Sequence, residues 1–141
     1  MSGINASVDT NVSIAARNPH ESGYSACRKL LDQIDQGRLS AIVSSISIAE
    51  IRAGMTPEEV PTAWRAMLTH LLTSPNYRVE PVDAEIAEAV GELHSSNPLT
   101  LPGAVIVATG QLRGASFIIT QDKRLGHRLD RWPVKLPGAI A

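Results

Sequence analysis

At 141 residues and 43% hydrophobic content, the chain is sized for one domain, residues 1–141, whose core needs neither disulfides nor a structural metal. Cys27 is the one cysteine, which excludes an intrachain disulfide and multi-thiolate zinc sites and fits a reducing cytoplasm. The net charge of −1 hides an asymmetry, with 7 Lys/Arg against 12 Asp/Glu over residues 1–110 and 6 against 2 over residues 111–141.

Short β-rich runs alternate with longer helical ones, which predicts an α/β fold with a parallel sheet. Ala6 to Val8 reads as the first strand, and Thr10 or Asn11 as the cap of a helix through about Arg17. Asn18 to Gly23 is a loop. Cys27, Leu30, Leu31 and Ile34 recur at helical spacing across Tyr24 to Gln36, with Gly37 as the stop. Ala41 to Ser44 is a second strand, followed by a short apolar helix over Ile46 to Met55 that contains Glu50. Thr56-Pro57-Glu58-Glu59 starts a helix to about Leu72, with Val60, Trp64, Met67, Leu68 and Leu71 inward and Pro61 as a source of a kink. Tyr77 to Pro81 is a third strand. Asp83 caps the next helix, whose apolar face is Ile86, Ala87, Val90 and Leu93. Leu101 to Leu112 is apolar nearly all round, as in a buried helix, and Gly114 ends it. Phe117 to Ile119 is a strand sheltered on both faces. A short helix over Lys123 to Leu129 and a strand over Trp132 to Leu136 finish the chain. No run approaches the roughly 20 apolar residues that span a bilayer, and no basic leader precedes Ile4, so a soluble, cytoplasmic protein is expected.

Three acids follow or interrupt these elements: Asp9 after the first strand, Glu50 in the helix after the second, and Asp122 after Phe117 to Thr120. Parallel strands would bring them to one edge of the sheet, where ligands bind. Each also has a purely structural reading. Asp9 can cap a helix, Glu50 can close a Ser-x-x-Glu capping box with Ser47, and Asp122 can cap the Lys123 helix.

In order and spacing, four stretches resemble the PIN-domain ribonucleases of the VapC toxin type. They are Ser7 to Ile14, Ser45 to Gly54, Leu99 to Ala108 and Gly114 to Arg124. The resemblance spans roughly residues 6 to 136. It implies a three-layer α/β/α PIN-like domain with a central parallel sheet and an acidic site for Mg²⁺ or Mn²⁺. By position, Asp9, Glu50 and Asp122 would be metal-site acids, with Thr120 and Asn11 as polar supports. Oxygen donors suit such hard cations, and clustered carboxylates repel one another unless a cation lies between them. Activated water would be the nucleophile, so no side-chain nucleophile is needed.

One position departs from the family pattern. Where the helix usually opens Pro-Asp-Ala, this chain has Pro102-Gly103-Ala104, so a metal-site carboxylate is missing and impaired catalysis is expected. A site working with three acids and water, a degenerate domain kept for binding, and an inactivating change in a toxic protein all account for Gly103. So does ordinary Pro-Gly turn chemistry.

The expected function is that of the toxin of a type II toxin–antitoxin pair, a metal-dependent endoribonuclease held off by a cognate antitoxin protein. Similar proteins form homodimers. Basic residues Arg113, Lys123, Arg124, Arg128 and Arg131 would meet RNA phosphates, or else form a solvated helix face. The alternative class is a non-catalytic PIN-like module that binds RNA or a partner protein. A flap-type DNA nuclease fits less well, because the chain is short and lacks the further acids and insertions of such enzymes. His20, His70, His94 and His127 show no zinc spacing, Ser44, Ser45 and Ser47 lack an esterase elbow, and no phosphate-binding glycine loop is present.

Overall fold

The computed structural model describes residues 3–129 and 132–140. Five strands, β1 (Asn5–Val8), β2 (Ser40–Ser44), β3 (Tyr77–Glu80), β4 (Phe117–Ile119) and β5 (Val134–Lys135), pair in parallel in the order β3-β2-β1-β4-β5. The helices between them are α1 (Thr10–Ala15), α2 (Tyr24–Asp35), α3 (Ser45–Ala53), α4 (Arg65–Thr73), α5 (Ala84–Ser96), α6 (Leu101–Leu112) and α7 (Leu125–Arg128).

Alternation along each strand divides the core into two layers. Ala6, Val8, Ala41, Val43 and Ile119 pack with Val12 of α1 and Cys27, Leu30 and Ile34 of α2. Ile118 faces the other way, into Ile86 and Val90 of α5 and the apolar run of α6. Ser7 also turns that way, donating its hydroxyl to the Ile106 carbonyl at 3.4 Å. The result is the expected α/β/α sandwich. A third cluster, Ile51, Met55 and Trp64, ties α3 to the segment before α4.

Helix α6 lies hard against β1 because Gly110 has no side chain. A Cβ there would sit 2.7 Å from the Ser7 Cβ and 2.6 Å from the Trp132 ring. Gly110→Ala therefore overpacks the layer. It is expected to cost about 1–3 kcal/mol, read as a lowered thermal midpoint.

Several expected boundaries shift for identifiable reasons. The Thr56 capping box forms, with the Thr56 N–H donating to Glu59 Oε1 at 2.8 Å and the Glu59 N–H to Thr56 Oγ1 at 3.3 Å. Pro61 has no N–H to donate, however, and the chain takes a π-helical turn over Val60–Trp64 before α4 starts. The Trp64 N–H reaches back five residues to the Glu59 carbonyl. On α5 the buried face is Ile86, Ala89, Val90 and Leu93, and Ala87 is exposed. The final helix is shorter than expected, and Lys123 and Arg124 precede it. Neither Thr10 nor Asn11 caps α1. Asp9 holds the cap position, and the Thr10 and Asn11 side chains turn to other partners. Among the described residues, no helix is long and apolar enough to cross a membrane.

Candidate active site

The strand order reverses at β1. The chain runs from β1 outward through β2 to β3, then returns across the sheet to place β4 on the other side of β1. In open α/β sheets the crevice beyond the carboxyl ends of the strands at such a reversal is where ligands bind. Asp9 follows β1 directly, Asp122 lies just past β4, and Glu50 projects from α3 behind β2.

Asp9 occupies the cap position of α1 in extended backbone, φ −69° and ψ 146°, yet makes no side-chain cap hydrogen bond. Its Oδ2 instead accepts the Thr120 hydroxyl at 2.8 Å and, more loosely, Asn11 Nδ2 at 3.4 Å. Fully buried Thr120 also accepts from Asn11 Nδ2 at 3.2 Å and from the Asp122 N–H at 3.0 Å. Asn11 completes the web: its Oδ1 accepts the Gln121 N–H and its carbonyl accepts Gln121 Nε2, both at 3.1 Å. The start of α1 is thus stapled to the loop after β4. Burial pushes the Asp9 carboxyl above the usual aspartate range. The hydrogen bond from Thr120 and the nearby Thr10 and Asn11 amides pull it part of the way back, and the Glu50 charge pushes it up again.

Glu50 is held from the same strand end by the neighbouring residue. The Thr10 hydroxyl lies 2.7 Å from Glu50 Oε1 and 2.7 Å from Ser47 Oγ. The proposed capping box of Ser47 and Glu50 does not form, because α3 is capped by Ser44, whose Oγ accepts the Ile46 N–H at 3.2 Å. Asp122 does serve its local turn. Its Oδ1 accepts the Arg124 N–H at 3.0 Å and Arg124 Nε at 3.4 Å, while its side chain stays 31% exposed.

Asp9, Glu50 and Asp122 line one cleft of about 150 Å³, together with Asn11, Thr100 and Gly103 and an apolar wall of Leu99, Pro102, Ile106 and Leu125. No Lys, Arg or His is among these described lining residues, although Arg124 pairs with Asp122 from outside the lining at 3.4 Å. That donor chemistry fits a hard divalent ion. Among the described residues no three acids or His/Cys side chains are gathered into a ready ligand set. The fit is therefore to the open coordination that Mg²⁺ favours, one or two carboxylates with water completing the shell. Gly103 lies in the first turn of α6 at the lip of the cleft, its N–H donating to Thr100 Oγ1 at 3.1 Å.

The basic residues separate. Arg113 is committed away from the cleft: at the far end of α6, roughly 15 Å along the helix from Gly103, it pairs with Asp83 and Glu85 at 2.7 Å each. Its carbonyl accepts Arg78 Nη2, and Glu80 lies 3.9 Å from its Nε. These carboxylates neutralise it, which removes it from the expected phosphate-binding set. Lys123 and Arg124 are exposed beside Asp122, and Arg128 is half-buried on α7. Arg131 lies outside the described residues.

Sequence reasoning missed Thr10 and Ser47 as site residues. The signals were present, since Thr10 directly follows Asp9 and Ser47 precedes Glu50 by one helical turn.

Fold and cleft together define a doubly wound α/β domain with an acidic pocket at its switch point. The chain belongs to the PIN domain family, whose model matches residues 6–130. It is similar in structure to a toxin–antitoxin complex from Klebsiella pneumoniae, at 22% identity and TM-score 0.67 over 94% of this chain and 97% of that one. It is also similar to FitAcB from Neisseria gonorrhoeae, at 20% identity and TM-score 0.67 over 95% and 97%. A third similar structure is Mycobacterium tuberculosis VapC20, described as a sarcin–ricin loop cleaving toxin, at 17% identity and TM-score 0.64 over 93% and 100%. At these identities the likeness is one of fold. No curated protein matches the sequence significantly.

Proposed function

We propose that this chain is the toxin of a type II toxin–antitoxin pair, a divalent-metal-dependent endoribonuclease whose turnover is lowered by Gly103. The observation that carries the reading is the cleft itself, which Asp9, Glu50 and Asp122 all line at the switch point of a PIN fold, with no Lys, Arg or His among its described lining residues. A bound Mg²⁺ or Mn²⁺ would supply a water of lowered pKa and offset charge growing on the scissile phosphate. Asp9 and Glu50 would hold the ion and Asp122 would turn in to complete the acidic rim, while Thr120 fixes the Asp9 carboxylate. Lys123, Arg124 and Arg128 would hold the flanking RNA phosphates. The similar toxin–antitoxin complexes support a cognate antitoxin protein as partner, and the family resemblance supports a homodimer acting in the cytoplasm.

Growth arrest tests the toxin reading. Induced Gly103→Asp chain is expected to stop growth, and co-expression of a small protein encoded beside its gene to relieve the arrest. A folded Gly103→Asp chain with no effect on growth and no RNA cleavage would sink it. The basic residues give a separate test by RNA titration at several salt concentrations. Lys123→Ala is expected to reduce the salt slope by about one. Arg113→Ala, whose charge is already neutralised, should leave the slope unchanged.

Gly103 favours a second reading, a PIN-like module that docks RNA or a protein without cutting it. RNA binding of equal strength in Mn²⁺ and in EDTA, with no cleavage after Gly103→Asp, would establish that reading over the first.

A further inference from the structure

We infer that Thr10 and Ser47 form a positioning relay that holds one oxygen of Glu50 inside the protein and leaves the other for a cation. This rests on the proposed metal site. Thr10 and Ser47 are 4% and 1% exposed, so water does not satisfy their hydroxyls. The Thr10 Oγ1 stands 2.7 Å from both Ser47 Oγ and Glu50 Oε1. A hydroxyl has one proton to give, and a carboxylate can only accept. The Thr10 proton therefore goes to Glu50, and Ser47 must give its own proton to Thr10. The direction of the chain, Ser47 to Thr10 to Glu50, follows from donor arithmetic alone.

The arrangement repeats on the other acid. Thr120 directs its single proton to Asp9 Oδ2 at 2.8 Å and fills its acceptor capacity with Asn11 Nδ2 and the Asp122 N–H. Each inward acid thus has one oxygen fixed by a buried threonine. Both acids line the cleft, and the hydroxyls engage only Glu50 Oε1 and Asp9 Oδ2. Thr10 also joins two elements, since it opens α1 while Ser47 and Glu50 lie on α3. The separation of Asp9 and Glu50 is therefore set by adjacent residues, Asp9 and Thr10, at one strand end. Two ligands that must approach the same ion are registered by the shortest covalent link the chain offers. Partners of this kind, once removed from a ligand, typically cost about ten- to a hundredfold in metal affinity.

Mn²⁺ binding followed by electron paramagnetic resonance tests the relay, on the chain itself and on Gly103→Asp in parallel. Thr10→Val keeps the volume and removes the proton, and it is expected to weaken Mn²⁺ binding by about tenfold. Its thermal midpoint in EDTA reports folding separately. Thr10→Ser restores the hydroxyl and should recover most of the affinity, a rescue that a packing role would not produce. If Thr10→Val binds Mn²⁺ as its parent does while Glu50→Gln loses it, the relay is overturned and the acidic site stands. If neither the chain nor Gly103→Asp binds Mn²⁺, both the site and the relay are overturned. If Thr10→Val does not fold, Ser47→Ala decides. It removes only the donor behind Thr10, so weakened binding supports the relay and unchanged binding overturns it.

Discussion

Gly103→Asp is expected to raise Mn²⁺ affinity by about ten- to a hundredfold, the equivalent of roughly 1–3 kcal/mol for one further carboxylate near a divalent ion at a partly solvated site. RNA cleavage should rise with it. The position accepts the change. Gly103 has no positive φ, so its backbone suits any L-residue. It lies three residues after the cap Thr100, where an acid favours the helix dipole. A Cβ would meet Thr100 Oγ1 at 3.0 Å, so the cap hydroxyl that accepts the Gly103 N–H must shift by tenths of an ångström, a small strain set against the gain. The cost is electrostatic, because a further carboxylate joins Asp9, Glu50 and Asp122 in a cleft with no cationic lining among the described residues. Without divalent ions Gly103→Asp should therefore melt lower than the parent, and with excess Mn²⁺ higher. Binding of an ion at a hundred times its dissociation constant adds about 2.7 kcal/mol to the folded state. A folded variant that gains neither Mn²⁺ affinity nor RNA cleavage would refute the vacated-acid account of Gly103.

Much of this was legible from residue order. The strands follow from apolar runs of fixed length, and the parallel sheet from their alternation with helices. The departure at Gly103 stands out because Pro102 and Ala104 match the family pattern on either side of it. What the sequence did not disclose were partner choices made across the fold. Thr10 reads as a helix cap by its local pattern, but burial against α3 gives its hydroxyl Ser47 and Glu50 instead of a backbone amide. Glu50 and Ser47 fit a capping box by spacing, but Ser44 starts the helix three residues earlier. Arg113 belongs to a basic segment by composition, yet α6 carries it to the acidic patch of Glu80, Asp83 and Glu85. For Thr10 and Arg113 a local rule was satisfied in sequence and a long-range contact in space took precedence, whereas at Ser47 a nearer cap did so.

Asp9→Asn is expected to stabilise the metal-free protein while abolishing its response to Mn²⁺. The folded state pushes the Asp9 carboxyl above its ordinary value, chiefly by desolvation and further by the Glu50 charge. The folded chain then binds a proton more tightly than the unfolded chain. Stability is linked to that difference: it falls as pH rises from the ordinary aspartate value through the raised one, and the loss is complete above it. At any pH above the raised value the apo protein carries that loss in full. Asparagine has the same shape without the charge and still offers an oxygen to the Thr120 hydroxyl. Its thermal midpoint in EDTA should rise, and this gain should shrink on acidification toward the ordinary aspartate range. With Mn²⁺ added, the parent or Gly103→Asp chain should gain stability and Asp9→Asn should not. A parent that is already more stable than Asp9→Asn in EDTA would mean that the Thr120, Thr10 and Asn11 donors outweigh burial, and that the carboxylate is a structural anchor rather than a ligand awaiting a cation.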